Sequence, residues 1–146
     1  MALKKNIQSF KKCSESDDLV GAYRLLVALE LALKNQGLTS TGRSGHDVPG
    51  LLQSAAIAPS GAIAAQLIGY AATLRNQLQL ITCVGLKTAS QFVPADNYPY
   101  MRYARMDGDW GGVDETPQKV LKDLYAMCES VCSFLKANES SVGVIL

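Results

Sequence analysis

Apolar side chains recur every three or four residues in three long stretches of the chain, and this spacing predicts three amphipathic α-helices. The stretches are residues 17–37, 60–84 and 117–138. Their apolar stripes are Leu19, Ala22, Leu26, Leu29 and Leu33 in the first, Ile63, Leu67, Tyr70, Leu74, Leu78 and Ile81 in the second, and Val120, Leu124, Met127, Val131 and Leu135 in the third. Because each stripe has to be buried, we expect the three helices to pack on one another.

Residues with known preferences for helix ends mark the boundaries of these helices. Ser14 or Ser16 is suited to cap the first helix, and Gly37 is suited to the left-handed turn that ends it. Asp47 and Pro49 predict the N-terminus of a short helix that runs to about residue 56.

No stretch alternates convincingly between apolar and polar residues, so no strand is predicted. Residues 85–115 hold five aromatic residues together with glycines and prolines, and they are predicted to form one long loop. The fold class is therefore all-α, an up-and-down bundle of three long helices and one or two short ones.

The length of 146 residues is typical of a single domain. Residues 1–13 form a basic N-terminal segment, residues 14–139 the helical bundle, and residues 140–146 an apolar tail that either docks on the body or pairs with another chain. The net charge of +1 gives no overall attraction to nucleic acid or anionic lipid, so any such binding has to be local.

The four cysteines form no CxxC pair and favour reduced thiols in a cytoplasmic protein, without a metal site or cofactor. Residues 48–74 carry no charge, but Pro59 and two glutamines disfavour a membrane span. Small residues four positions apart, at Gly61, Ala65, Gly69 and Thr73, favour close approach of a second helix, either within the fold or in a homodimer.

Three further stretches are notable for their order and spacing. They are AYRLLVALELALKNQG at residues 22–37, GHDVPGLL at residues 45–52 and NYPYMRYARMDGDW at residues 97–110. Together they resemble the HEPN family, which is named for its occurrence in higher eukaryotes and prokaryotes and for nucleotide binding. The likeness extends over about residues 15–138.

The resemblance implies a helical bundle with a buried Glu-x-x-x-Lys motif on its first long helix and a His-Asp pair before its short helix. Glu30 and Lys34 match the first motif, and His46 and Asp47 match the second. Residues 101–104, Met-Arg-Tyr-Ala, are similar to the family's Thr-Arg-Tyr-Pro, with alanine in place of the proline.

Many HEPN proteins are ribonucleases of toxin–antitoxin or defence systems, and their signature is an arginine followed four to six residues later by a histidine. In this chain Arg75 is followed by Leu80 where that histidine would stand. Leucine cannot transfer a proton, so we expect the family's ribonuclease chemistry to be absent. The resemblance then implies a catalytically silent module that binds a nucleotide, an RNA end or a protein partner.

Eight residues form the candidate ligand site: Glu30, Lys34, His46, Asp47, Tyr100, Arg102, Tyr103 and Arg105. Arginines set among tyrosines can hold a phosphate while a ring stacks on a base. The alternative interpretation is structural. Glu30 and Lys34 would then be a surface helix pair, His46 would anchor the short helix, and the arginines would pair with Asp107 or Asp109.

Two other functions stay open at this point. One is a metal-independent ribonuclease that uses His46 with Arg43 or Arg102. The other is the partner subunit of a small nucleotidyltransferase, bound through the small-residue face and the apolar tail.

Overall fold

The computed structural model describes residues 17–37, 46–57, 61–84, 91–92, 94–95, 97–104, 106, 116–144 and 146. The helices are α1 (Asp17–Asn35), α2 (Val48–Ala55), α3 (Gly61–Leu80), α4 (Pro117–Ala137) and α5 (Glu139–Val142), with a 3₁₀ helix at Tyr98–Tyr103. The strands are β1 (Cys83–Val84) and β2 (Gln91–Phe92). The all-α fold class is confirmed.

The long helices alternate in direction, as expected for an up-and-down bundle. Gly21 of α1 lies against the ring of Tyr125 of α4, and further along both helices Ala28 and Lys136 line one groove, so α1 and α4 run parallel. The rings of Tyr70 of α3 and Phe134 of α4 lie 5.3 Å apart, and further along α3 Gln77 Nε2 donates to the carbonyl of Asp123, which is earlier on α4. Helix α3 is therefore antiparallel to α4. Helix α2 packs on both α1 and α3.

The apolar stripes predicted from the sequence form the core of the bundle. Leu26, Leu29 and Leu33 of α1 are fully buried, and so are the leucines of the α3 stripe. The α4 stripe differs at one position, because Cys128 is fully buried and Met127 only half-buried.

The segment after α3 departs from the prediction. Helix α3 ends at Leu80 rather than at residue 84, and Cys83 pairs with Phe92 in an antiparallel two-stranded ladder. Residues 81–84 read Ile-Thr-Cys-Val, and such β-branched residues favour extended backbone over helix. The prediction of one long loop was also wrong at the 3₁₀ helix, whose Tyr98 and Met101 are buried in the core.

Gly37 has a φ of 76°, which confirms the left-handed turn after α1. Val144 is fully buried, so this part of the apolar tail docks on the body of the same chain. The basic segment 1–13, the candidate caps Ser14 and Ser16, and the loop 38–45 that contains Arg43 lie outside the described residues.

Cys128 is buried, Cys132 is half-buried, and both are free thiols. Burial raises the pKa of Cys128 to about 12, so this side chain stays protonated and packs as a small apolar residue. Among the helices in the described parts of the chain, none is long and apolar enough to cross a bilayer.

Candidate functional site

A single carboxylate, that of Glu30, is the centre of the candidate site. Glu30 lies on α1 between the buried leucines of the stripe, and its side chain is only 10% exposed. Both of its oxygens are bound by side chains from other parts of the sequence. A buried carboxylate without such partners would be strongly destabilising, so these contacts are needed for the fold as well as for any site.

His46 binds Glu30 from the segment that leads into α2. Its Nδ1 lies 2.7 Å from Glu30 Oε2, and its side chain is 46% exposed. An ionised carboxylate only accepts hydrogen bonds, so this contact requires the proton of the imidazole to be on Nδ1. Glu30 therefore fixes the tautomer and the orientation of a ring that is nearly half exposed.

Tyr98 binds the second oxygen of Glu30, and sequence reasoning did not identify it as a site residue. Its hydroxyl donates to Glu30 Oε1 at 3.1 Å, and its ring stands edge-on to the rings of His46 and Tyr23 at 5.9 and 5.4 Å. Burial, and then the negative charge of Glu30, raise the pKa of Tyr98 far above its usual value. The phenol therefore remains a hydrogen-bond donor throughout the neutral range.

Lys34 completes the group around Glu30. Its Nζ lies 3.5 Å from Glu30 Oε2, one turn further along α1, and its side chain is 41% exposed. The helix pair expected from the i, i+4 spacing is therefore formed, but Glu30 is buried and only Lys34 is exposed.

Asp47 has a different role from His46, although the two residues are adjacent. Asp47 caps α2, because its Oδ1 accepts from the Gly50 amide at 3.0 Å. Arg75 Nη2 of α3 donates to Asp47 Oδ1 at 3.1 Å and to Oδ2 at 3.3 Å. Asp47 was predicted as a cap and also as a ligand residue; its side chain is only 3% exposed and both oxygens are occupied, which favours the structural role.

In the described part of the tyrosine–arginine segment the exposed cation is Arg102. Arg102 Nε donates to the Pro99 carbonyl at 3.2 Å, and the guanidinium lies 5.7 Å from the centre of the Tyr103 ring. Within the described residues Arg102 has no acidic partner. Tyr100 and Tyr103 are half-buried against the core.

The structure therefore brings together Glu30, Lys34 and His46 directly, and places the 3₁₀ helix that carries Arg102 beside them through Tyr98. Arg105, Asp107 and Asp109 lie outside the described residues. The described side chains contain no group of three or more acidic, histidine or cysteine residues arranged to bind a metal ion.

Two residues of this region, Tyr98 and Arg75, had no distinguishing signal in the sequence. Tyr98 is one of several tyrosines in the segment, and only the fold separates it from Tyr100 and Tyr103. Arg75 belongs to an incomplete ribonuclease signature and to a polar edge of its helix, and neither pattern predicts its bond to Asp47.

Comparison of the chain with protein-family models, with curated proteins and with solved structures gave no match. The HEPN resemblance and the functions that it implies therefore stay predictions.

Proposed function

We propose that this protein is a HEPN-like binding module that holds a phosphate-bearing ligand, a nucleotide or an RNA end, beside Glu30. The observation that carries the proposal is the Glu30 carboxylate itself. It is buried, yet it fixes two side chains, His46 and Lys34, that are nearly half exposed. An arrangement that uses a buried charge to position exposed nitrogen donors is typical of a binding site rather than of a packed core.

The charges of this surface favour an anion. Lys34 and Arg102 are both cationic, and they outnumber the single carboxylate of Glu30. His46 adds a third positive charge whenever it is protonated. Because much of each nitrogen-bearing side chain is in contact with solvent, a phosphate can accept hydrogen bonds from these groups without entering the core.

The 3₁₀ helix sets the axial offset between Tyr98, which binds Glu30, and Arg102. Arg102 follows Tyr98 by four residues, which corresponds to about 8 Å along the axis of such a helix. A separation of this size suits a ligand with a phosphate at one end and a base at the other. The Tyr103 ring beside Arg102 offers a surface on which a base can stack.

Thermal unfolding in the presence of AMP, ATP and a short RNA with or without a 5′-phosphate tests the proposal. A ligand that binds only the folded state stabilises it by RT ln(1 + [L]/Kd), so the melting temperature rises with the logarithm of the ligand concentration once this exceeds the dissociation constant. We expect stabilisation by the phosphorylated compounds, and a loss of most of it in Arg102→Ala.

The matched control is Arg24→Ala. Arg24 is also an exposed arginine, but it lies six residues before Glu30 and so on a different side of α1. Equal loss of stabilisation in both variants would mean that the ligand responds to overall charge and not to this site. Absence of stabilisation at millimolar ligand in the wild-type chain would contradict the proposal itself.

The contact between Glu30 and His46 also favours a second candidate, ribonuclease activity with His46 as the base. A general base needs an orienting partner, and a carboxylate on Nδ1 provides one in many hydrolases. In this reaction the imidazole takes the proton of the RNA 2′-hydroxyl, the 2′-oxygen bonds to phosphorus, and the bond from phosphorus to the 5′-oxygen breaks. The 5′-oxygen then receives a proton from water.

Incubation with structured RNA separates the two candidates. Cleavage that is lost in His46→Ala and reduced at least tenfold in Glu30→Gln would support the ribonuclease. Cleavage that persists in His46→Ala comes from another source. A chain that binds the phosphorylated RNA and leaves it intact supports the binding module.

A further inference from the structure

A groove lies between α1 and α4, and none of the residues bound to Glu30 lines it. The groove encloses about 350 Å³ and is lined by Leu25, Ala28, Glu129, Cys132, Ser133, Lys136 and Leu146. We refer to it as the α1–α4 groove. Leu25, Ala28 and Leu146 are its apolar aliphatic residues, and its two charged residues both lie on α4.

The two charged residues of the groove have opposite sign. Glu129 and Lys136 are both exposed, and neither forms an ion pair with another residue in the described part of the chain. They are seven residues apart, so they lie on the same face of α4 and about 10 Å from each other along its axis. That distance is too long for them to pair within one molecule.

This pattern is complementary to itself. When two copies of α4 lie antiparallel with a two-fold axis between Cys132 and Ser133, Glu129 of each copy is opposite Lys136 of the other. The small side chains near that axis allow the two helices to approach to the usual 8–10 Å. We propose that the α1–α4 groove is the contact surface for a second copy of this chain.

Exposed apolar side chains border the proposed contact. Leu31 is 56% exposed and lies one turn beyond Ala28 on the same side of α1, and Leu146 is 39% exposed. Pairing through the groove would remove apolar surface on both sides of the charged contacts from water, which supplies the attraction. The ion pairs fix the register and the antiparallel direction.

The small-residue face of α3 is a second surface at which the sequence allows a homodimer, besides packing within the fold. Its residues Gly61, Ala65, Gly69 and Thr73 are exposed, and Ile68 beside them is 52% exposed. The exposed positions from 61 to 73 carry no charge, so this face has no feature that selects a register or a partner. The experiments below distinguish the two faces.

Sedimentation velocity over a range of concentrations tests the proposal. The variants are Glu129→Lys, Lys136→Glu and the double variant in which both charges are exchanged. In either single variant two like charges meet at both symmetric contacts, and we expect the association constant to fall about tenfold or more. In the double variant the charges are exchanged but again complementary, so association should return to within about threefold of wild type. All these positions are on the surface, so the monomer should remain folded.

The matched control exchanges Lys119 with Asp123. This pair, 3.0 Å apart, is also exposed on α4 but lies outside the groove. We expect it to leave association unchanged. A chain that stays monomeric at all accessible concentrations, single variants that associate like wild type, or a double variant as weak as the single ones would each overturn the proposal.

Crosslinking gives an independent measurement of the register. In a background with Cys13→Ser and Cys132→Ser, Ser133→Cys places a thiol next to the proposed axis, and a short bismaleimide should link two chains. Ala126→Cys lies on the same face of α4, but the two copies of residue 126 would be about 20 Å apart along the helices. Crosslinking at residue 126 as strong as at residue 133 would overturn the antiparallel arrangement.

Discussion

Glu30 and Asp47 are both buried carboxylates that join distant parts of the chain, but their partners differ. Asp47 is bound by a backbone amide and by Arg75, whose side chain is 29% exposed. Glu30 is bound by the buried Tyr98 and by two side chains, His46 and Lys34, that are 46% and 41% exposed. The first carboxylate links elements of the core, whereas the second holds exposed groups in place.

The two buried carboxylates therefore have different roles. Around Asp47 each donor is occupied by the fold, so little is left for a ligand. Around Glu30 the side chains of His46 and Lys34 remain in contact with water, and their orientation is the main consequence of the buried charge. His46 and Asp47 are adjacent in sequence, but His46 binds the Glu30 carboxylate and Asp47 binds Arg75.

Replacing each carboxylate by its amide should give the largest difference. Asp47→Asn removes the charge that balances Arg75, and we expect the free energy of unfolding to fall by about 2–3 kcal/mol. Glu30→Gln keeps an acceptor for Tyr98, and Lys34 and His46 can turn to solvent, so the expected loss is about 1 kcal/mol. Urea denaturation measures both.

Asp123→Asn is the control for charge removal, because its partner Lys119 is exposed and the expected change is below about 0.5 kcal/mol. Equal losses for Asp47→Asn and Glu30→Gln would remove the distinction between the two carboxylates. A larger loss for Glu30→Gln would reverse it and give Glu30 the main structural role.

Removal of the hydrogen bond from Tyr98 to Glu30 should have the next largest effect on the free energy of unfolding, and this effect should depend on pH. Tyr98→Phe removes the donor to Glu30 Oε1, and we expect a loss of about 1.5 kcal/mol at neutral pH. In the wild-type chain burial and then Glu30 raise the pKa of Tyr98, so its contribution is present below the unfolded value near 10. It is lost as the pH rises further.

The difference in unfolding free energy between wild type and Tyr98→Phe should therefore shrink as the pH rises above about 10. Burial also raises the pKa of Cys128, to about 12, and this adds a second alkaline loss of stability. Because both proteins contain Cys128, that loss cancels in the comparison. A difference that stays constant up to pH 11.5 would contradict the raised pKa of Tyr98.

The contrast between the two carboxylates also shows what could be predicted from the sequence. Helix periodicity predicted the buried stripe through Leu29 and Leu33, and the capping preference predicted the bond from Asp47 to the Gly50 amide. Both depend on residues at most a few positions apart. The all-α bundle follows from such local patterns.

The partners of the carboxylates could not be predicted in this way. His46, Arg75 and Tyr98 reach their carboxylates over 16, 28 and 68 residues of chain. Nothing near any of these residues in sequence specifies such a contact, because it depends on how the helices pack. The paired strands were missed for a related reason, since two residues are too few to show an alternating pattern.

Lys34 provides the smallest expected effect on stability and the sharpest test of what surrounds Glu30. Its ammonium group lies 3.5 Å from Glu30 Oε2 but is exposed, so Lys34→Ala should lower the free energy of unfolding by no more than about 0.5 kcal/mol. If the group binds phosphate, the same substitution should weaken ATP binding about fivefold or more, as measured by calorimetry. Lys122→Ala, at an exposed position of α4, should change neither quantity.

A Lys34 variant that loses little stability and keeps full affinity would show that the exposed side of the Glu30 group is not a phosphate site. A variant that loses affinity alone would show that the buried carboxylate positions this cation for a ligand.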